Sequence, residues 1–251
     1  MKCVEITGAK ELKVTTKDEP AKSDNKVTFK VNACGICGSD IHYWDMGAPA
    51  GLVMGHEFSG TVTDPGDRKD LKVGDRITGL PISPCGKCDA CRSGNPQYCQ
   101  ETWTHAIGLS LENSGGYAEY SSCYSSMVRK LPDTVTDVEA CMVEPSAVSL
   151  HAVKLADIIV GDKVCIIGGG IIGLMAAEFA KMEGATYVAL LETNEARGMK
   201  ACKYGKVDEY YNAIDENTVP TLKARTNGGF DKVIECCGNQ GAVSEAMILT
   251  K

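Results

Sequence analysis

The sequence has little that would carry it to a membrane or onto a nucleic acid. Its longest charge-free run near the middle, residues 164–177, holds four glycines and is too short for a bilayer core of about 30 Å. The N-terminus, Met1-Lys2-Cys3-Val4-Glu5, has no apolar signal core. A cytoplasmic protein with no membrane partner is therefore expected. Basic residues are outnumbered, 26 Lys and Arg against 33 Asp and Glu, for a net charge of −7. A polyphosphate partner needs a basic footprint, so nucleic acid is not expected as a ligand. Aromatics reach only 6%, and histidines number four. Hydrophobic residues at 43% and charged residues at 24% still give an ordinary globular mix. A disordered chain, a collagen and a coiled coil are excluded. The 251 residues suffice for a large core or two smaller ones.

Cysteine is the exception to this scarcity. There are 13, an odd number. A reducing compartment disfavours a disulfide framework, so clustered cysteines point to metal or redox chemistry.

Cys85, Cys88, Cys91 and Cys99 form Cys-x2-Cys-x2-Cys-x7-Cys. Four closely spaced thiolates can converge on one tetrahedral ion, and Gly86 and Gly94 let the loop close round it. Such a site has no position for water and is expected to be structural. Incidental buried cysteines and a zinc-ribbon nucleic-acid module are the alternatives, and the acidity opposes the second.

A second, open site is expected from Cys37-Gly38-Ser39-Asp40-Ile41-His42 followed by Gly55-His56-Glu57. Cys37 and His56 are good zinc ligands, and Glu57 or Glu144 can add an oxygen. Glu144 precedes Pro145 and could instead be an anion at a helix N-terminus. Cys34-x2-Cys37 could be a redox pair, but no helix signal opens at Cys37. His42 alone could be a solvated histidine, and His105 and His151 read as structural.

Short β-rich runs at 26–32, 59–63 and 76–79 are separated by turn signals, and no helix of length is expected before residue 135. Thr136-Asp137-Val138-Glu139 fits a capping box, and a helical run continues past Pro145 to about residue 156. Strand and helix then alternate. Strands are expected at 164–167, 187–191, 207–210 and 232–236, with helices at 171–183, 195–204 and 218–226. That rhythm specifies a parallel sheet with crossover helices. Gly168, Gly170 and Gly173 form Gly-x-Gly-x-x-Gly between a strand and a helix, the context of a dinucleotide cradle. The first glycine permits the turn, and the second lets backbone reach a pyrophosphate on the helix N-terminus, at Ile171 and Ile172. Glu192 lies 19 residues past Gly173, at the end of the next strand, where an acid accepts from a ribose hydroxyl. Thr193 and Asn194 beside it are not basic, which favours NAD over NADP. Arg197 is also placed among the cofactor-binding residues.

These features in this order resemble the zinc-containing medium-chain alcohol and polyol dehydrogenases. The likeness also includes Val73-Gly74-Asp75-Arg76, Leu131-Pro132 and Glu235-Cys236. Glu144-Pro145 and His42-Tyr43-Trp44 look most like the sorbitol, threonine and butanediol dehydrogenase branch. The resemblance implies a mixed β and α/β fold. A GroES-like β-rich catalytic domain over 1–152 would carry the zinc lobe at 85–99. A Rossmann NAD-binding domain would follow over 153–251, with the active site in the cleft between them. It implies two zinc ions, one catalytic and one structural, and hydride transfer from a secondary alcohol or polyol to NAD. Ser39 would take the substrate proton and His42 would pass it to solvent. The family is commonly homo-oligomeric. Only four Rossmann strands can be counted, and the sequence reaches Lys251 in the helix after the fourth. The Rossmann domain is therefore expected to be incomplete at the C-terminus. A truncated, inactive zinc-binding fragment is the second expectation, and a threonine or sugar-alcohol-phosphate dehydrogenase the third.

Overall fold

The computed structural model describes residues 1–251. The chain divides into two compact units, Met1–Glu144 and Pro145–Lys251. This division and the expected boundary at 152/153 fall in the same helix. No helix is long and apolar enough to cross a membrane.

The first unit is β-rich. Strands β1 (Lys2–Gly8) and β2 (Glu11–Thr16) form an antiparallel pair. Strands β3 (Lys26–Cys34), β4 (Phe58–Asp64), β5 (Arg76–Gly79), β6 (Tyr120–Tyr124) and β7 (Val128–Lys130) form an antiparallel sheet in the order β6-β3-β4-β5-β7. Val27, Phe29, Phe58, Val62, Ile77 and Val128 build its core. The rings of Phe29 and Phe58 stack at 4.9 Å. Gly60 is required beside them, because a Cβ there would strike the Phe29 ring.

Two helices precede residue 135, against expectation: α1 (Gly38–Met46) and the single turn α2 (Asp89–Arg92). The signal for α1 was hidden for two reasons. Its only buried residue is Asp40, while Ile41 and Met46 face solvent, so no apolar stripe marks it. Its capping box is Cys37 with Asp40, not Ser or Thr with Glu or Gln. Gly47 ends it in the left-handed region at φ +69°. Thr136 and Glu139 make the expected capping box and open α3 (Asp137–Ala140). Helix α4 (Val143–Ala156) follows and carries Pro145 in its first turn, where no intrahelical N–H is lost.

The second unit alternates β8 (Lys163–Ile167), α5 (Ile171–Met182), β9 (Tyr187–Glu192), α6 (Glu195–Tyr204), β10 (Glu209–Asn212), α7 (Thr218–Arg225), β11 (Lys232–Glu235) and α8 (Gln240–Leu249). The strands are parallel in the order β10-β9-β8-β11. Val164, Ile166, Val188 and Leu190 enter one core with Ala176, Ala177 and Ala201. Cys165, Ile167, Ala189 and Leu191 enter another with Leu222, Ala242 and Leu249. Both sheet faces are thus covered, which explains unbroken apolar strands instead of alternation. Two expectations shift. The third strand lies at Glu209–Asn212, not 207–210, because Val207 packs in a core before pairing begins. Lys251 is not in a helix: α8 ends at Leu249, and Thr250 makes a parallel bridge with Phe230.

Candidate metal centres and nucleotide cradle

Cys37 caps α1, so its thiol sits where a strand hands over to a helix N-terminus. His56 and Glu57 immediately precede β4, the neighbour of β3. The pairing of β3 with β4 brings these two segments together, and Gly35 N donates to Glu57 O at 2.7 Å. Gly35 is required here, because a Cβ would occupy the position of the Glu57 carboxylate. The ligand atoms of Cys37, His56 and Glu57 all lie within 4.8 Å of one another, with His56 5% and Glu57 7% exposed.

Behind His56 stands Asp40, 2% exposed. One of its carboxylate oxygens accepts from Cys37 N at 2.9 Å and from the Tyr117 hydroxyl at 2.8 Å. The other lies 3.6 Å from His56 Nδ1, and neither of these two atoms has a closer polar partner. With Nδ1 turned to the carboxylate, Nε2 is the nitrogen left for an ion. A hydrogen bond with His56 holds the Cys37 thiol below its ordinary range, against burial, with help from Ser39. Burial works to lower the His56 pKa, but Cys37, Asp40 and Glu144 outweigh it and raise it. Burial raises Glu57, opposed by His56 and aided by Glu144 and Asp40. A half-buried thiolate beside a buried imidazole and carboxylate, with charge unmet, forms a donor set that fits zinc.

Glu144, at the start of α4, lines a cavity of about 310 Å³ with Ser39, Tyr43, His56, Pro81, Trp103 and Leu109. Its carboxyl is raised by burial. It faces the site but is not one of the three converging donors. His42 is exposed and does not line the cavity. His151 is exposed, and His105 pairs with Glu112 at 2.5 Å. The redox pairing has a different weakness from the one the sequence suggested, since a helix does open at Cys37. Burial pushes the Cys34 thiol up to about 12, leaving it inert beside a lowered Cys37.

The four cysteines of the lobe also converge within 4.8 Å. Cys88 and Cys91 sulfurs are 3.6 Å apart, and those of Cys85 and Cys91 4.0 Å. Four thiolates at about 2.3 Å from a tetrahedral zinc stand about 3.8 Å from one another. The two pairs through Cys91 have that spacing.

In the second unit, Gly168 turns at φ +103°, which a side chain would resist. A Cβ on Gly173 would strike the Gly168 carbonyl, so α5 can pack this close to β8 only with glycine there. A Cβ on Gly170 would meet nothing, leaving open space at the α5 N-terminus beside half-exposed Ile171 and Ile172. These features fit a pyrophosphate. Glu192, 5% exposed, accepts from Gly169 N and Asn194 N, both at 2.8 Å, and from the Thr193 hydroxyl. Burial opposes its ionisation, but those N–H donors and Arg197 outweigh it and hold the carboxyl below its ordinary range. Arg197 Nη1 lies 3.3 Å away. A basic group therefore stands beside the carboxylate, which the neighbours Thr193 and Asn194 alone did not indicate.

Asp40 and Tyr117 escaped the sequence reading. Only the Cys-x2-Asp spacing of the capping box could have pointed to Asp40. Asp40→Asn is expected to keep a hydrogen bond to Cys37 N but weaken zinc binding at this site about 10- to 100-fold. Chelator competition measures it, and an unchanged affinity would remove Asp40 from the site.

Residues 23–133 match the alcohol dehydrogenase GroES-like domain, and residues 172–251 match the zinc-binding dehydrogenase family. A sorbitol dehydrogenase of Halalkalibacterium halodurans is 34% identical over 97% of this chain and 71% of its own length. The (R,R)-butanediol dehydrogenase of Bacillus subtilis is 34% identical over 95% of this chain and 71% of its own. A zinc-binding dehydrogenase structure from Sinorhizobium meliloti 1021, bound to NADP, superposes with a TM-score of 0.89 at 32% identity, covering 100% of this chain and 73% of that one. Two domain matches in order, and relatives this similar over nearly all its residues, decide the family: the chain belongs to the zinc-containing medium-chain dehydrogenases, oxidoreductases of alcohols and polyols.

Proposed function

We propose that the chain transfers a hydride to NAD from a secondary alcohol or polyol, a class that runs from butanediol to sorbitol and iditol. The observation that carries this reading is the converging Cys37–His56–Glu57 cluster, backed by Asp40 and open to a cavity lined by Ser39. Bound zinc supplies the positive charge that makes an alcohol hydroxyl acidic, and bound NAD supplies the hydride acceptor. Cys37, His56 and Glu57 hold the ion, and Glu57 is favoured over Glu144 because its carboxylate is the one that converges with the other two. Ser39 accepts the hydroxyl proton as it hands its own on. His42, exposed three residues along α1, carries it to solvent. Cys85, Cys88, Cys91 and Cys99 hold a second, structural zinc.

The Gly168–Gly173 turn receives the pyrophosphate, and Glu192 accepts from the adenosine ribose. An ionised, buried Glu192 repels a 2′-phosphate, and Arg197 is already engaged with that carboxylate. The test is nicotinamide reduction by the zinc-loaded chain on a panel of secondary alcohols and polyols, with NAD and NADP compared. NAD is expected to be preferred, and Glu192→Ala to shift the NADP/NAD ratio of kcat/KM upward about 10- to 100-fold, since one desolvated charge contact is removed. An unchanged ratio would remove Glu192 from cofactor selection. No turnover with either cofactor would overturn the whole reading.

A further inference from the structure

The wall of the cavity beside Cys37 and His56 is divided. Ser39, Tyr43, His56 and Glu144 give it polar atoms, and Pro81, Trp103 and Leu109 give it apolar surface. The polar side is largely committed. His56 converges with Cys37 and Glu57 as a metal donor, with Asp40 behind it, and Ser39 is taken by the reacting hydroxyl. Tyr43 and Glu144 are left to meet any further hydroxyl. A hexitol brings several beyond the one oxidised, and each that enters unpaired carries a desolvation penalty.

The apolar side is built to stay open. Trp103 is 57% exposed. A run of turns holds it: Thr102 N donates to Cys99 O, Thr104 N to Glu101 O, and Ala106 N to Trp103 O. These turns start at the last cysteine of the lobe, so the backbone that carries the indole is held while the ring itself stays exposed. A large aromatic face left beside a reaction cavity gains by covering a ligand's carbon chain.

We infer that this wall selects a short secondary alcohol or vicinal diol with an apolar tail over a hexitol, and that Trp103 is the residue that reads the tail. The inference rests on the reading of this cavity as an alcohol site. It narrows that class by the shortage of partners for extra hydroxyls and by the exposed indole.

The experiment is binding, measured by saturation-transfer NMR on the zinc-loaded full chain with butan-2-ol, pentan-2-ol, hexan-2-ol and sorbitol. Affinity is expected to rise about two- to fourfold per added methylene, and sorbitol to bind at least about tenfold more weakly than hexan-2-ol. Trp103→Ala is expected to flatten the chain-length series. Trp103→Phe should restore most of it, a rescue that a purely structural role for the indole would not produce. The exposure of Trp103 keeps both variants folded, which circular dichroism checks. Sorbitol binding as tightly as hexan-2-ol, a series unchanged in Trp103→Ala, or no binding by any of the alcohols overturns the inference. Turnover with NAD is followed in parallel. A chain-length series that collapses in Trp103→Ala supports the inference even where no reduced nicotinamide forms, an outcome that would fell the dehydrogenase reading alone.

Discussion

Loaded with zinc and cleared of excess metal, the chain is expected to carry about two ions, and Cys37→Ala about one, with NAD-dependent turnover gone. Removing the thiolate leaves His56 and Glu57, and two protein donors do not hold a zinc site against dilution. The substitution is mild for the fold. Cys37 is half-buried, and the stronger half of its capping box, Asp40 accepting from the backbone N–H of residue 37, survives the change. A fall in zinc therefore reports coordination, not unfolding. The loss of turnover should reach about a thousandfold or more, because several kcal/mol of charge stabilisation leave with the ion. Elemental analysis and a steady-state assay check both halves. Activity retained in Cys37→Ala would sink the assignment of Cys37. About one ion in the unmodified chain would mean that only the four-cysteine lobe holds metal, the signature expected of an inactive fragment.

How far the sequence could be read follows from how local each signal is. The four lobe cysteines lie within one loop, so their spacing alone reports a shared ion. The second unit is equally local. Each apolar strand and each helix there is marked within its own few residues, and α6 falls on the bounds expected of it, as β5 does in the first unit. The first helix is the contrary case. Ile41 and Met46 face out, Tyr43 and Trp44 are only partly buried, and its one fully buried residue is an aspartate, so the usual pattern is obscured. Asp40 is buried there for the sake of His56 and Tyr117, partners far along the chain that no local window contains. The third ligand was undecidable for the same reason. Glu57 and Glu144 are equally acidic in sequence, and only the pairing of β3 with β4 sets the first against Cys37. Trp103 could not be noticed at all, since an aromatic after a cysteine loop has no spacing to read.

The second large effect is expected in the lobe. Between Cys85 and Cys99 only Cys99 is buried, so this loop has almost no apolar core of its own. Its order rests on convergence of the four sulfurs, and a structural zinc there contributes on the order of 10 kcal/mol. In a Cys37→Ala background, where the lobe ion alone is counted, Cys99→Ala is expected to bring zinc to near zero and to lose hydrogen-exchange protection across residues 85–99. Acid should do the same without a mutation. N–H donors from Cys85 and Glu101 bring Cys99 down from 9.0 to about 6. Its preference for the folded lobe is therefore complete above 9.0 and fades as pH falls through about 6. Burial pushes Cys91 in the other direction, up to about 12. That thiol gives up its proton only to a metal, so binding releases protons and acidification reverses it. Zinc release followed by a colorimetric chelator should be slight near pH ~8 and extensive near pH ~5. Loss of the ion with protection of 85–99 intact would show that the loop holds its shape without metal, and the lobe would then be a metal site but not a metal-built one.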